Sequence, residues 1–297
     1  MSIKTPISTI FKTVITIVSK YKIDVLSIIL SAIGFGGIVF GFSYAGDEGC
    51  SSPIVLASLG IGVLALVIYI LRQLTIEDPV IHLKVFKHPM FILAVVITLF
   101  GNIIGFSAHI LLPLFMQGGL GLSASAAGLL LLPGGMINEI MSMVRRIFDK
   151  YGPGVLVIGG FVISTIACIF FANVSLMTDA YLTIFFFMLL MVSLSMVLVP
   201  SQTNGLNQLE PDLYPDGTAV INSMIQTSGV IGTALAISIL NISQHAFLSD
   251  ISDSYNAVNK AEALITGVQN AFTFSSIISI IDLVCSLFIK RAKAGIE

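Results

Sequence analysis

Residues 24–43 read DVLSIILSAIGFGGIVFGFS, a run in which Asp24 is the only charged residue. A helix needs about 20 apolar residues to cross about 30 Å of hydrocarbon. Because lipid cannot hydrogen-bond the backbone, a run of this length and apolarity indicates a transmembrane helix and not an alternating barrel strand. Eight such stretches predict an all-α membrane protein with eight transmembrane helices, at residues 23–44, 53–71, 91–115, 124–144, 154–174, 180–200, 217–240 and 268–289.

The composition of the whole chain fits this class. Of its 297 residues, 56% are hydrophobic and 10% are charged, and the mean hydropathy is +1.01. Too few charged residues remain to cover an ordinary soluble surface, so the expected partner for most of the surface is the lipid bilayer. The formal net charge of −2 gives no support to nucleic acid binding.

Basic residues are distributed asymmetrically between the two sides of the predicted membrane. Of the 14 Lys and Arg residues, all except Lys260 fall on the side that also holds both termini. An excess of Lys and Arg marks the cytoplasmic side, so the pattern predicts a multi-pass plasma membrane protein with both termini in the cytoplasm. The loops on the other side carry acidic residues, namely Asp47, Glu48, Asp179, Asp250 and Asp253.

The connections between the spans divide the chain into two helices followed by six. A long inner connection separates the second span from the third, and no soluble domain fits between any two spans. Residues 1–22 place Ile and Val on one helical face and predict an interfacial cytoplasmic helix. The expected organisation is this segment at 1–22, two helices at 23–72, a cytoplasmic loop at 73–90, a six-helix bundle at 91–290 and a cytoplasmic tail at 291–297.

Glycine and proline mark expected packing and bending points. Gly37 and Gly41 have the small-xxx-small spacing that lets two helices approach closely. Pro133, followed by Gly134 and Gly135, predicts a kink or a break in the fourth span, because proline lacks the backbone N–H.

Motifs for enzymatic chemistry are missing. The sequence has no GxSxG with a partnered His, no HExxH, no GxxxxGK[ST] and no DDxxD. Neither a catalytic residue, a cofactor nor a metal site is expected, and the protein is not expected to be an enzyme.

Three ionisable residues inside the predicted spans are candidates for proton coupling, since charged groups are costly there and often functional. Asp282 could bind a proton, or could be a hydrogen-bonded acid at a helix contact or an acid facing a wet crevice. Glu139 lies two turns before Arg146 and could instead be solvated or salt-bridged. His109 could relay protons, because histidine changes charge near neutral pH, or could simply hydrogen-bond a neighbour.

Neutral amides form a second group of candidates. Buried amides need partners, and several amides facing one cavity could orient a substrate with apolar bulk. The alternative is ordinary interhelical hydrogen bonding. The amides in or at the ends of the spans are Asn102, Gln117, Asn138, Gln202, Asn222 and Gln226.

Four stretches carry a family resemblance: residues 24–43 quoted above, ILLPLFMQGGLGLSASAAGLLLLPGG at 110–135, RRIFDKYG at 145–152 and NGLNQLEPDLYPDGTAVINSMIQTSGVIGTALA at 204–236. Together they resemble the fourteen-span multidrug:proton antiporters of the major facilitator superfamily. RRIFDKYG is similar to the second copy of the inner-loop motif of that superfamily. The resemblance assigns an inner-loop gating role to Arg145, Arg146, Asp149, Lys150 and Gly152.

The resemblance also implies an architecture. Residues 23–72 would be the two linker helices of the family, and residues 91–290 its C-terminal six-helix half-bundle, without the N-terminal bundle. The chain departs from the family pattern at Glu139, Met143 and Arg145, which make the helix end bulkier and more charged.

The function expected from this resemblance is efflux of amphipathic drugs or toxic organic compounds, driven by the proton gradient and contributing to antibiotic resistance. As a truncated or half-transporter, the chain would need a separate N-terminal half or self-association. The alternative is a non-transporting membrane remnant or assembly module.

Overall fold

A computed structural model describes residues 24–48, 52–75, 83–140, 152–249, 251 and 256–290. The predicted N-terminal segment at 1–22, most of the inner-loop motif and the tail at 291–297 lie outside the described residues. Eight α-helices make up most of the described chain, and no strand occurs among these residues. They are α1 Val25–Glu48, α2 Pro53–Thr75, α3 Pro89–Leu114, α4 Ala124–Ile140, α5 Pro153–Phe171, α6 Ala180–Leu206, α7 Tyr214–Ser249 and α8 Ala257–Ser286.

Most of these helices are suited to crossing a membrane. Among the described residues, six helical segments are long and apolar enough: Pro53–Gln73, Pro89–Gly119, Pro153–Phe171, Ala180–Leu206, Pro211–Ser249 and Ala257–Ser286. The apolar parts of α1 and α4, Val25–Ile38 and Ala124–Ile137, are shorter. The all-helical membrane architecture is therefore confirmed, and the count of eight spans stays a prediction for α1 and α4.

The ends of several helices differ from the predicted spans. α7 and α8 extend past the apolar windows at 217–240 and 268–289, because helices can continue as polar turns outside the apolar region. α3 continues through a π-helical turn at Phe115–Gly119. α4 runs through Pro133 without interruption, so the predicted break is wrong. Gly134 lies against the Phe187 ring of α6, which shows that this glycine is needed for packing.

Helices α1 and α2 form a hairpin whose faces meet at glycines. A Cβ placed on Gly37 would lie 2.9 Å from Gly62 Cα and 3.0 Å from the Ser58 carbonyl oxygen. The predicted close contact at Gly37 and Gly41 is confirmed, since a Cβ on Gly41 would also meet Leu59. The hairpin contacts the remaining helices through α1, which packs on α7.

The other six helices form one bundle around α3. α3 packs against α6, α7 and α8, while α5 lies against α6 and α8, and α4 lies against α6. The largest core cluster joins α3, α5, α6 and α8 and includes the buried rings of Phe115, Phe171, Phe187 and Phe272. Because α3 contacts several other helices of the bundle, its side chains can contribute to a site between these helices.

Candidate functional site

A pocket of about 160 Å³ opens between α3 and α6. Its wall is largely apolar, and two polar side chains, Asn102 and His109, lie in it. The lining residues are Gly101, Asn102, Gly105, Phe106, His109, Met191, Leu194 and Leu198. The structure therefore brings together one predicted cavity amide and one predicted proton-coupling residue.

The spacing of residues along α3 explains why the pocket forms there. A Cβ on Gly101 would lie 3.1 Å from Leu198, and one on Gly105 would lie 3.1 Å from Leu194, so both glycines let α6 approach. Asn102, Phe106 and His109 follow at intervals of four and three residues and share the neighbouring face of the helix. The two glycines thus let α6 approach closely, and the larger side chains of Asn102, Phe106 and His109 line the pocket beside them.

Asn102 is half-buried and is oriented by its own helix. Its Nδ2 donates a hydrogen bond of 2.7 Å to the Thr98 carbonyl oxygen. A carbonyl oxygen can only accept, so the nitrogen of the amide must be the atom that faces Thr98. The Asn102 Oδ1 has no hydrogen-bond partner within the described part of the chain.

The His109 side chain is also oriented by a backbone carbonyl group of its own helix, α3. Its Nδ1 lies 2.7 Å from the Gly105 carbonyl oxygen, and its ring meets the Phe187 ring edge-to-face at a centroid distance of 5.8 Å. Since the carbonyl only accepts, Nδ1 carries the hydrogen, and Nε2 is the nitrogen that can accept in the neutral ring. Nε2 makes no hydrogen bond to another described residue.

The remaining predicted amides do not line this pocket. Gln117 lies in the π-helical turn, where its Nε2 donates to the Pro113 carbonyl oxygen at 3.1 Å. Asn222 and Gln226 are exposed on α7. Gln226 lies one turn before Gly229, which lies against the Phe106 ring. Gln202 on α6 is half-buried, and the side chain of Asn138 lies outside what the structure describes.

Asp282 lies elsewhere in the bundle, on the buried face of α8. Its side chain is 0% exposed, and neither carboxylate oxygen has a hydrogen-bond partner among the described residues. In this part of the chain, Asp282 therefore has no partner that would make it the hydrogen-bonded acid of the predicted alternative. In this structure the Asp282 side chain has no contact with solvent.

The hydroxyl groups near Asp282 on the helix surface already donate elsewhere. Ser286, one turn after it, donates to the Leu283 carbonyl oxygen at 2.6 Å. Ser279, one turn before it, lies 2.9 Å from the Thr165 hydroxyl of α5, which itself donates to the Phe161 carbonyl oxygen. An ionised carboxylate would be costly here, because no donor compensates for its burial.

The other predicted functional residues are only partly described. Glu139 belongs to the last turn of α4, and nothing is described of its side chain. Arg145, Arg146, Asp149 and Lys150 of the inner-loop motif also lie outside the described residues. Gly152 is described, and its φ of 82° belongs to the left-handed region that favours glycine. It directly precedes Pro153 at the first position of α5, so the motif glycine forms the turn into the helix.

One structural connection was not predicted from the sequence. The Gln208 Oε1 accepts a hydrogen bond of 2.8 Å from the Met90 backbone N–H at the start of α3. Asn204, one turn earlier, donates to the Lys290 carbonyl oxygen at 3.0 Å. Asn204 lies in the last turn of α6 and Gln208 two residues after its end, so this end of α6 is joined to the start of α3 and to the segment that follows α8. The signal available in the sequence was that α3 begins with His88 and Pro89, without a usual capping side chain.

The α1–α2 hairpin is closed at one end by an ion pair. Arg72 donates from Nε to Asp24 Oδ2 at 3.1 Å and from Nη2 to Oδ1 at 3.2 Å. Ser27 also donates to Asp24, and Gln73 donates to the Ser27 hydroxyl at 2.7 Å. The hydrogen bonds from Arg72 and Ser27 lower the pKa of Asp24, which precedes α1, from 3.8 to about 2.

Comparison with known proteins identifies relatives over most of the chain. The chain is 50% identical over 278 residues to the lincomycin resistance protein LmrB of Bacillus subtilis (strain 168). The matched region makes up 93% of the chain and 58% of that relative. It is 48% identical over 280 residues to LmrB of Listeria monocytogenes, covering 94% and 59%. It is 33% identical over 287 residues to the uncharacterized MFS-type transporter YcnB of Bacillus subtilis, covering 95% and 58%.

A solved structure supports the fold. The chain matches a bacterial homolog of the human lysosomal transporter Spinster with a TM-score of 0.55 and 14% identity, covering 89% of this chain and 67% of the other. No family model matches the chain. The chain is thus related to MFS-type transporters over most of its length, and it spans 58 to 59% of the length of the curated relatives named above.

Proposed function

We infer that this chain belongs to the MFS-type transporter family and takes part in the efflux of amphipathic drugs or toxic organic compounds across the plasma membrane. The observation that carries this inference is the apolar pocket with Asn102 and His109, set in a bundle related to lincomycin resistance proteins. Its apolar wall suits hydrophobic bulk, and its two polar groups can orient a ligand. The relatives are transporters and not enzymes, in keeping with the missing catalytic motifs.

The size of the pocket favours a shared binding site. Sites for drug-sized ligands are typically about 300–1,000 Å³, whereas this pocket has about 160 Å³. MFS transporters bind substrate between two six-helix halves. We therefore propose that this bundle supplies one wall of a pathway, as a truncated or half-transporter, and that a separate N-terminal half or a second copy supplies the other wall.

Asp282 supports a proton-coupled mechanism. A buried carboxyl group without a donor is stabilised by taking up a proton, and it can release that proton when a movement exposes it to water. We propose Asp282 as the first candidate for proton coupling, with Glu139 and His109 as further candidates. Arg145, Arg146, Asp149, Lys150 and Gly152 are proposed to gate the inner end, and Gln117, Asn138, Asn222 and Gln226 to extend the cavity wall.

The proposed orientation follows from the charges. Both termini are placed in the cytoplasm, because 13 of the 14 Lys and Arg residues fall on one side when the predicted spans are marked. An outside-only thiol reagent should then label Cys50, which lies between the first two predicted spans. Failure to label it, under conditions that label an introduced cysteine in another outer loop, would contradict this orientation.

Ethidium retention in an efflux-deficient host tests the transport function. The chain is expressed alone and together with the N-terminal portion of LmrB from Bacillus subtilis, each with and without a proton uncoupler. The expected result is lower retention than in the empty-vector strain, reversed by the uncoupler. Retention equal to the empty vector in both arms would overturn the proposal and favour a non-transporting remnant or assembly module.

A matched pair of variants tests whether ethidium efflux depends on the pocket. Asn102→Leu removes the pocket amide, and we expect it to raise ethidium retention. Asn173→Leu removes an amide whose Nδ2 donates to the carbonyl oxygen four residues earlier at the same 2.7 Å, but which does not line the pocket. Equal effects of the two variants would exclude the pocket as the basis of transport.

A further inference from the structure

The two polar side chains in the pocket between α3 and α6 offer two hydrogen-bond acceptors, the Asn102 Oδ1 and the His109 Nε2, and a single remaining donor, the second N–H of the Asn102 amide. We propose that this pocket selects ligands with two hydrogen-bond donors, hydroxyl or amino groups, carried on a flat apolar body. This inference rests on the proposed function, because it names the class of compound that the transporter would bind.

The backbone fixes which end of each side chain is available. The Thr98 carbonyl oxygen takes the Asn102 Nδ2 at 2.7 Å, and the Gly105 carbonyl oxygen takes the His109 Nδ1 at 2.7 Å. Neither carbonyl can donate, so each must be met by an N–H group. Two acceptors are left for a ligand, the Asn102 Oδ1 and, in the neutral ring, the His109 Nε2, together with one donor, the second N–H of the Asn102 Nδ2.

The distance between the two acceptors limits the ligand. Asn102 and His109 are seven residues apart on one helix, which is about 10 Å along its axis. Phe106 lies between them and is 37% exposed, so an aromatic or cationic ring system can pack on its face. A ligand with a donor at each end of such a ring system would satisfy both acceptors and cover the Phe106 ring.

The same arrangement disfavours anions. No Lys or Arg lines the pocket, and its other lining residues are Gly, Phe, Met and Leu. A carboxylate or sulfonate ligand would find one neutral donor, the second N–H of Asn102, and no cation, and it would bring its negative charge beside two acceptors. The pocket is therefore expected to exclude acidic amphiphiles and to accept hydroxylated or amino-bearing ones.

Ethidium and its deaminated analogue form a matched pair of probes. Both are phenanthridinium cations with the same apolar body, and only ethidium carries two amino groups at opposite ends of its ring system. Their dissociation constants are measured by isothermal titration calorimetry in lipid nanodiscs that hold the chain alone or together with the N-terminal portion of LmrB from Bacillus subtilis, with nanodiscs lacking the chain as the blank. All measurements are made at one pH of about 8.

We expect ethidium to bind the unmodified chain about tenfold more tightly than the analogue, because two hydrogen bonds each contribute a factor of roughly 2 to 10. Asn102→Leu and His109→Phe should each reduce this advantage, the ratio of the two dissociation constants, about threefold or more. Asn173→Leu should leave both dissociation constants unchanged.

The possible results distinguish a failure of the proposed selectivity for donors from a failure of the pocket as a drug-binding site. Equal binding of both probes to the unmodified chain would overturn the selection for donors while leaving a drug-binding pocket in place. An unchanged ethidium advantage in both Asn102→Leu and His109→Phe would equally overturn it. Absence of binding by both probes, to the chain alone and to the chain with the N-terminal portion of LmrB, would overturn the pocket as a binding site and would remove the main support for the proposed function.

Discussion

The glycine contact between α1 and α2 gives a prediction with opposite outcomes for two adjacent residues. In Gly37→Ala, the new Cβ would lie 2.9 Å from Gly62 Cα and 3.0 Å from the Ser58 carbonyl oxygen, both of them backbone atoms. Since a Cβ normally stays about 3.4 Å or more from such atoms, the helices must separate by about 0.5 Å. In Gly36→Ala, the new Cβ meets nothing within 4 Å.

The expected magnitudes follow from these distances. Overpacking of this kind costs about 1–3 kcal/mol, and replacing a helical glycine with alanine returns roughly 0.5–1 kcal/mol. Gly37→Ala should therefore destabilise the hairpin by up to about 2.5 kcal/mol, while Gly36→Ala should stabilise it by about 0.5 kcal/mol.

Thermal unfolding in detergent, followed by far-ultraviolet circular dichroism, measures this difference. Gly37→Ala should unfold a few degrees below the unmodified chain, and Gly36→Ala should unfold at the same temperature or slightly above it. A second control, Gly60→Ala on α2, also places its Cβ in open space and should resemble Gly36→Ala. If Gly37→Ala proved as stable as Gly36→Ala, the close contact between these helices would be refuted.

Three further predictions concern other contacts. Asp282→Leu should raise the unfolding temperature, because it removes a buried carboxyl group without a donor, at a gain of about 1–3 kcal/mol; a lower temperature would reveal a partner for this acid. Gln208→Leu should lower stability by about 1 kcal/mol, since the Met90 N–H loses its acceptor, and Gln208→Glu, which can still accept, should recover most of this loss. The pKa of Asp24, lowered to about 2, means that its contribution to stability is complete above about pH 4 and is lost as the pH falls from 4 to 2. Asp24→Asn should remove that part of the acid sensitivity, and an identical pH profile in the two proteins would contradict the ion pair with Arg72.

The membrane helices were largely predictable, because length and apolarity are properties of the local sequence. The predicted start at residue 53 agrees with the start of α2 at Pro53, where proline favours the first helical position. The far end of α7 was missed because residues 241–249, NISQHAFLS, mix polar and apolar side chains and so give only a weak hydropathy signal. Hydropathy reports where a helix crosses lipid, and it does not report how far the helix continues into water.

The sequence could suggest Asn102 and His109 as candidate residues, but it could not show that they lie in the same pocket. Asn102 and His109 were chosen for different reasons, one as an amide and the other as a titratable group. Their meeting in one pocket depends on which face of α3 packs against α6, and the small residues Gly101 and Gly105 decide that. The bond from Gln208 to Met90 spans 118 residues, so no local pattern could indicate it.

The positions of the pocket and of Asp282 constrain how transport could be coupled. The pocket lies between α3 and α6, whereas Asp282 lies on the buried face of α8, near the contact between Ser279 and Thr165 of α5. A ligand in the pocket therefore does not touch Asp282 and cannot displace its proton directly. Under the proposed function, coupling must pass through a change in helix packing that alters both sites. α3 contacts both α6 and α8, so a movement of α3 would reach the ligand and the acid together.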